Sequence, residues 1–234
     1  MSAVEVHLVP LPDNQIIGTI DELQAQELLV SHIGASRETL DRFRAYQSLL
    51  EKWAPRINLV GASTLPYFWS RHILDSAQIL PLAPPNAVSW VDFGSGAGFP
   101  GLVLAVLLEN RPQSTLFLIE ANTKRCAFLR EAARAMEVKV EIIQAKIEDV
   151  APIKLDVVTA RAFTSLDQLM TYAVPWMAQS GHALFPKGQD IQAELIKAST
   201  RWQFQSIIYP SLSDSRGCVV KIFNCHSKLG LCQL

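Results

Sequence analysis

The segment Val91-Asp92-Phe93-Gly94-Ser95-Gly96-Ala97-Gly98-Phe99-Pro100-Gly101 constrains the fold more than any other part of the chain. It follows an apolar run, Val88 to Phe93, that reads as a buried strand. It precedes Leu102 to Leu108, apolar enough to form the core side of a helix. A strand, a glycine-dense turn and a helix make a corner suited to nucleotide-like ligands. Glycine adopts positive φ and lets a ligand approach the backbone, and the first helical turn offers N–H groups without intrahelical partners. Gly96, Gly98 and Gly101 also satisfy G-x-G-x-x-G, so the spacing alone leaves a dinucleotide open.

Asp92 separates the two readings. A carboxylate at the strand end, two positions before Gly94, suits a ligand that carries positive charge. S-adenosylmethionine does so through its sulfonium and its α-ammonium, whereas a pyrophosphate would be repelled. The bland alternative is a glycine-rich turn that binds nothing.

Bulk properties set looser bounds. At 234 residues the chain fits one substantial α/β domain with an appendage. The balance of 21 basic against 22 acidic side chains excludes a globally basic nucleic-acid binder but allows a local patch. No apolar run reaches the ~20 residues of a membrane span, and no signal peptide is evident, so a cytoplasmic location is expected. Cys218, Cys225 and Cys232 lack the close pairing of a zinc site, even with His226 alongside; these thiols and Cys126 read as small hydrophobes, and no metal is expected.

Residues 1–20 show no clear element and read as a loosely held extension. From Glu22 the pattern turns helical, with Ser36 or Thr39 as a cap. Leu40, Phe43, Tyr46, Gln47, Leu50 and Trp53 form one face, and a second helix is expected over about Leu65 to Leu80. Residues 21–85 are thus an N-terminal helical cap, closed by Pro81, Pro84 and Pro85. In 86–224, strands at Val88–Phe93, Thr115–Ile119, Lys139–Ile143, Asp156–Ala160, His182–Phe185, Ser206–Tyr209 and Cys218–Phe223 alternate with helices near Gly101–Leu108, Lys124–Met136, Leu166–Met177 and Ile191–Ser199. The expectation is an α/β fold of the class I, Rossmann-like methyltransferase type. Its seven-stranded sheet is mainly parallel, with a reversed final strand. Residues 225–234 are left as a tail.

Ligands in such sheets sit at the carboxyl ends of the strands. Glu120 ends the second strand and suits the hydroxyls of a ribose; the alternative is a solvated acid before Asn122 and Thr123. Ile147 beside Glu148 could cover an adenine and accept from its amino group, or Glu148 is an ordinary first-turn acid. Arg161 is the positioning candidate: it could clamp a carboxylate or phosphate, or form a structural ion pair. Lys187 adds a cation at the same rim.

Asn58-Leu59-Val60, Arg71-His72-Ile73-Leu74-Asp75-Ser76, the glycine segment, Lys124-Arg125, Arg161-Ala162-Phe163 and Lys187-Gly188 together resemble the bacterial small-subunit ribosomal RNA guanine-N7 methyltransferases, the RsmG or GidB family. The resemblance runs from about Leu40 to Phe223. It implies methyl transfer from S-adenosylmethionine to N7 of a guanine in 16S rRNA, within the small ribosomal subunit or its assembly intermediate. By position, Gly94 and Phe99 would contact the cofactor, along with Asp92, Gly96 and Gly98. Ile147 and Glu148 would flank the adenine, and Arg161 would lie beside the methionine portion. Glu120 stands where relatives often have aspartate.

Guanine N7 carries a lone pair and no proton, so no general base is required, and none is assigned. Arg71, His72, Lys124, Arg125 and Lys187 are the candidates for RNA contact. Arg71, His72 and Asp75 read equally as a polar bridge between cap and core. A monomer is expected. Two other classes remain: a nicotinamide oxidoreductase, and a non-catalytic RNA-binding protein of this fold.

Overall fold

The structure, a computed structural model, describes residues 6–8, 20–109, 111 and 113–228. Its sheet contains β2 (Ser89–Phe93), β3 (Thr115–Ile119), β4 (Glu141–Ile143), β5 (Leu155–Ala160), β6 (Met177–Lys187), β7 (Trp202–Pro210) and β8 (Cys218–Ser227). The order β7-β8-β6-β5-β2-β3-β4 puts β2 and β5 side by side at the centre. β8 runs antiparallel to both β6 and β7, and the other pairs are parallel. All seven expected strands are present, with β8 as the reversed one. Buried parallel strands are covered on both faces, which explains why β2 and β5 are nearly continuous apolar runs.

Two assignments at the chain ends change. Val6–Leu8 forms a short strand, β1, parallel to β7 at the sheet edge, where no element was expected. β8 continues through Ser227, pairing His226 with Gln203, so Cys225 and His226 belong to the sheet rather than to a tail. Cys232 lies outside the described residues. Among the described residues no group of side chains could hold a metal ion, and no helix is long and apolar enough to cross a membrane.

The two-residue period of β2 sorts its side chains between two cores. Trp90 packs with α4 (Gly101–Leu108), α5 (Thr123–Ala135) and the cap. Val91 and Phe93 face α6 (Leu166–Trp176) and α7 (Ile191–Ser199). α4 is apolar nearly all round because it lies between sheet and cap. In the cap, Asp21 and Gln24 form a capping box on α1 (Glu22–Ser31), and Ser36 caps α2 (Arg37–Trp53).

The expected regular helix over Leu65–Leu80 is instead a 3₁₀ turn (Ala62–Tyr67), a π-helical segment (Phe68–Leu74), the single turn α3 (Asp75–Ala77) and a final 3₁₀ turn (Leu80–Leu82). Pro66 supplies no N–H for an α-helical ladder. Glu22 then takes the next donors: its carboxylate accepts from the N–H of Trp69 at 2.7 Å and Ser70 at 3.1 Å, and from the Ser70 hydroxyl at 2.8 Å. With those N–H groups turned to a side chain, the ladder changes register.

On β6, His182 stacks on Phe223 of β8 at 5.3 Å, and its Nδ1 is buried without a hydrogen-bond partner. Burial, and then the Lys221 charge, push its pKa down to about 4. The unfolded chain therefore binds a proton that the native one does not between about pH 6.5 and 4, and stability falls as pH falls through that window. His182→Phe is expected to remove up to about 1 kcal/mol of this loss per pH unit, allowing for solvent screening. Urea unfolding at pH 8 and pH 5 measures it; an identical pH dependence in the variant would overturn the assignment.

Candidate cofactor and acceptor site

The turn from β2 to α4 is left-handed at Gly94 (φ 61°), Gly96 (φ 56°) and Gly98 (φ 95°), a conformation that disfavours side chains. Gly98 could not carry a Cβ without meeting Leu102 and the Tyr46 hydroxyl, the latter at 2.7 Å, whereas the space around a Cβ at Gly96 is open. Tyr46 of α2 donates to the Ala97 carbonyl, so the cap grips the turn from one side. From the other, Glu120 Oε2 accepts from Gly96 N–H at 2.9 Å while Oε1 accepts from Asn122 N–H at 2.8 Å. Ile147 is buried beside this corner in a 3₁₀ turn (Ile147–Asp149). Exposed Glu148 accepts from Tyr172 at 2.7 Å, which holds its carboxyl below the ordinary range.

Asp92 shares the sheet face of Trp90 and is fully buried beneath α4. Its oxygens accept from the Thr159 hydroxyl at 3.0 Å and from Gly101 N–H at 3.3 Å, and burial raises its pKa to about 7. Asp92 supports the turn from within. Phe99 is buried, stacked on His72 at 4.7 Å and tilted against Tyr46 at 5.1 Å, at the joint between cap and core.

Arg161, after β5, is held in that joint. Its guanidinium lies 5.1 Å from the Phe99 ring centre and donates to the Arg71 carbonyl at 3.0 Å and to Asp75 Oδ2 at 3.1 Å; its Nη2 lies 3.1 Å from His72 Nδ1. Asp75 Oδ1 accepts from Ser213 at 2.9 Å and Gln78 at 3.0 Å. Burial, reinforced by the Arg161 and Arg71 charges, lowers the His72 pKa to about 3, so the ring is neutral and acts as neither a general acid nor an RNA-facing cation. Of the two readings of Arg71, His72 and Asp75, the geometry favours the polar bridge.

A cavity of about 700 Å³ opens at these strand ends, lined by Arg71, Arg161, Phe163, Lys187, Asp214 and Arg216 among others. Lys187 is not a free cation at its rim. It donates to the Thr164 carbonyl at 3.0 Å and Glu194 at 2.8 Å, and only 10% of its side chain is exposed. Arg71 is paired with Asp214. Lys124 and Arg125 stand outside the cavity at the start of α5, where Asn122 caps their N–H groups; Lys124 is exposed, and Arg125 donates to the Asn58 carbonyl at 3.1 Å. Sequence reasoning missed Tyr46 and Thr159 as supports, because both have the pattern of ordinary core residues.

A glycine turn at the carboxyl ends of a sheet with one reversed strand defines the class I methyltransferase fold. Solved structures share it: cofactor-bound Rv0187 from MTB (TM-score 0.56, 15% identity, covering 85% of this chain and 95% of that one), and a ribosomal protein L11 methylase from Lactobacillus delbrueckii subsp. bulgaricus (TM-score 0.51, 14% identity, covering 63% and 75%). The GidB family, described as rRNA small subunit methyltransferase G, matches residues 39–217. Proteins named ribosomal RNA small subunit methyltransferase G are similar along most of their length. The one from Paramagnetospirillum magneticum is 48% identical over 196 residues, spanning 84% of this chain and 94% of the relative; that from Caulobacter vibrioides is 42% identical over 190 residues, spanning 81% and 87%. The chain belongs to this family.

Proposed function

We propose that this chain transfers a methyl group from S-adenosylmethionine to N7 of a guanine in small-subunit rRNA. The observation that carries the reading is the left-handed glycine turn, tied to Glu120 and opening beside the cavity at the ends of β5 and β6. These residues fit the cofactor. Gly96 is open to an approaching ligand, each Glu120 oxygen makes one hydrogen bond and keeps acceptor capacity for a ribose hydroxyl, and buried Ile147 would flank the base.

When bound, S-adenosylmethionine supplies an electrophilic methyl carbon, to which N7 donates its lone pair as the carbon–sulfur pair returns to sulfur. No side chain has to remove a proton first, which agrees with a neutral, internally bonded His72. The chain's work is alignment of two reactants at the strand ends, a proximity effect. Arg161 fixes the relation of cap to core, and Lys124 and Arg125 offer RNA contact from outside the cavity. With Asp92 buried, charge no longer argues against a dinucleotide; membership of the family does.

The test incubates the protein and S-adenosylmethionine with small subunits that lack the modification, followed by nucleoside mass spectrometry. The expected product is 7-methylguanosine at one site. Measurable cofactor binding with no methylated nucleoside would refute the acceptor.

A further inference from the structure

Phe163 stands two residues after Arg161 beyond the end of β5, and the residue is 39% exposed. Seven large hydrophobic side chains are exposed among the described residues, and of these Phe163 alone lines the main cavity. The ring stands at the mouth of a cavity whose lining mixes charged side chains with apolar ones. Ala162, immediately before it, takes a left-handed backbone (φ 51°), strained for a residue with a side chain. The ring then lies against the glycine turn: a Cβ on Gly94 would overlap its Cδ2 and Cε2 atoms. Tyr172 meets the ring edge-to-face, with centroids 6.0 Å apart and planes 62° apart. Tyr172 is itself held by Glu148. The ring is thus braced on two sides at the boundary between the glycine turn and the cavity.

We propose that Phe163 is the platform on which the acceptor guanine stacks. The turn and Tyr172 take two sides of the ring, and a base laid on its exposed part is placed beside the turn's mouth. Stacking on an aromatic side chain is the usual way a protein holds a base drawn out of folded RNA, because every base has a π-face. Phe163 would then orient the base while leaving the choice of guanine to polar groups of the cavity wall. This deepens the proposed rRNA methylation and rests on it.

The experiment compares wild-type protein with Phe163→Leu and Phe163→Trp in steady-state methylation of unmodified small subunits, together with the Kd for S-adenosylhomocysteine. Phe163→Leu is expected to lose about 10- to 100-fold in kcat/KM for the subunit, with the Kd unchanged within about two-fold, and Phe163→Trp to retain most activity. Full activity in Phe163→Leu would overturn the proposal. So would an equal loss in the leucine and tryptophan variants, or a Kd weakened as much as kcat/KM, which would make the ring a cofactor cover. If wild-type protein leaves the subunits unmethylated, the rRNA reading fails instead.

Discussion

Gly96→Val is expected to weaken S-adenosylhomocysteine binding by more than 100-fold while the protein stays folded. Two properties of the position set this result. The backbone at Gly96 is left-handed, which costs a side-chain-bearing residue about 1–2 kcal/mol, more for a β-branched one. The surrounding space is open, so no packing clash adds to that cost, and the melting temperature should fall by only several degrees. The new side chain would fill the cradle that the turn offers and would strain the N–H that Glu120 orients. Gly101→Val makes the contrast: a Cβ there would overlap Leu118 and lie 2.9 Å from Asp92, so that variant should lose the fold itself. Calorimetric titration of Gly96→Val, with a melting curve beside it, decides the matter, and an unchanged affinity would remove the turn from the cofactor site.

Arg161→Ala should be the most damaging change outside the turn. It leaves the Asp75 carboxylate, 20% exposed, without its cation, and deprives the Arg71 carbonyl and the His72 ring of a partner at once. Removing one member of a largely buried pair exposes the full desolvation penalty of the other, here about 2–4 kcal/mol. Asp75→Ala should be comparably damaging, because it leaves the Arg161 guanidinium, 18% exposed, without its carboxylate and takes the acceptor from Ser213 and Gln78. A double-mutant cycle by urea unfolding is expected to give a coupling of at least about 1 kcal/mol. Independent effects, with Arg161→Ala as stable as the parent, would point back to an arginine reserved for a ligand's carboxylate.

The sheet could be read in the sequence because its strands are short apolar runs separated by helices of clear period: β3 has the expected bounds, and β2 and β5 start one residue away from theirs. What escaped was set by contacts distant in sequence. The irregular helix after Pro66 depends on a carboxylate more than forty positions earlier, at Glu22. The burial of Asp92 follows from strand parity, which puts it on the face of Trp90 under α4. The partners of Phe99 and Lys187, His72 and Glu194, lie on other elements and could not be read from the motif. Glu120 stands at the end of β3 as expected, and its bond to Gly96 N–H, which ties it to the turn, was not legible in the sequence.

Glu22 has a consequence for how the chain can be shortened. The family match begins at residue 39, so a fragment cut there would keep every matched position yet lose the acceptor for Trp69 and Ser70. Those two N–H groups sit one turn before His72 and Asp75, the cap's contribution to the joint with Arg161. The recognisable enzyme is therefore smaller than the autonomous one: the first helix, which carries none of the shared motif, dictates the register of the segment that does.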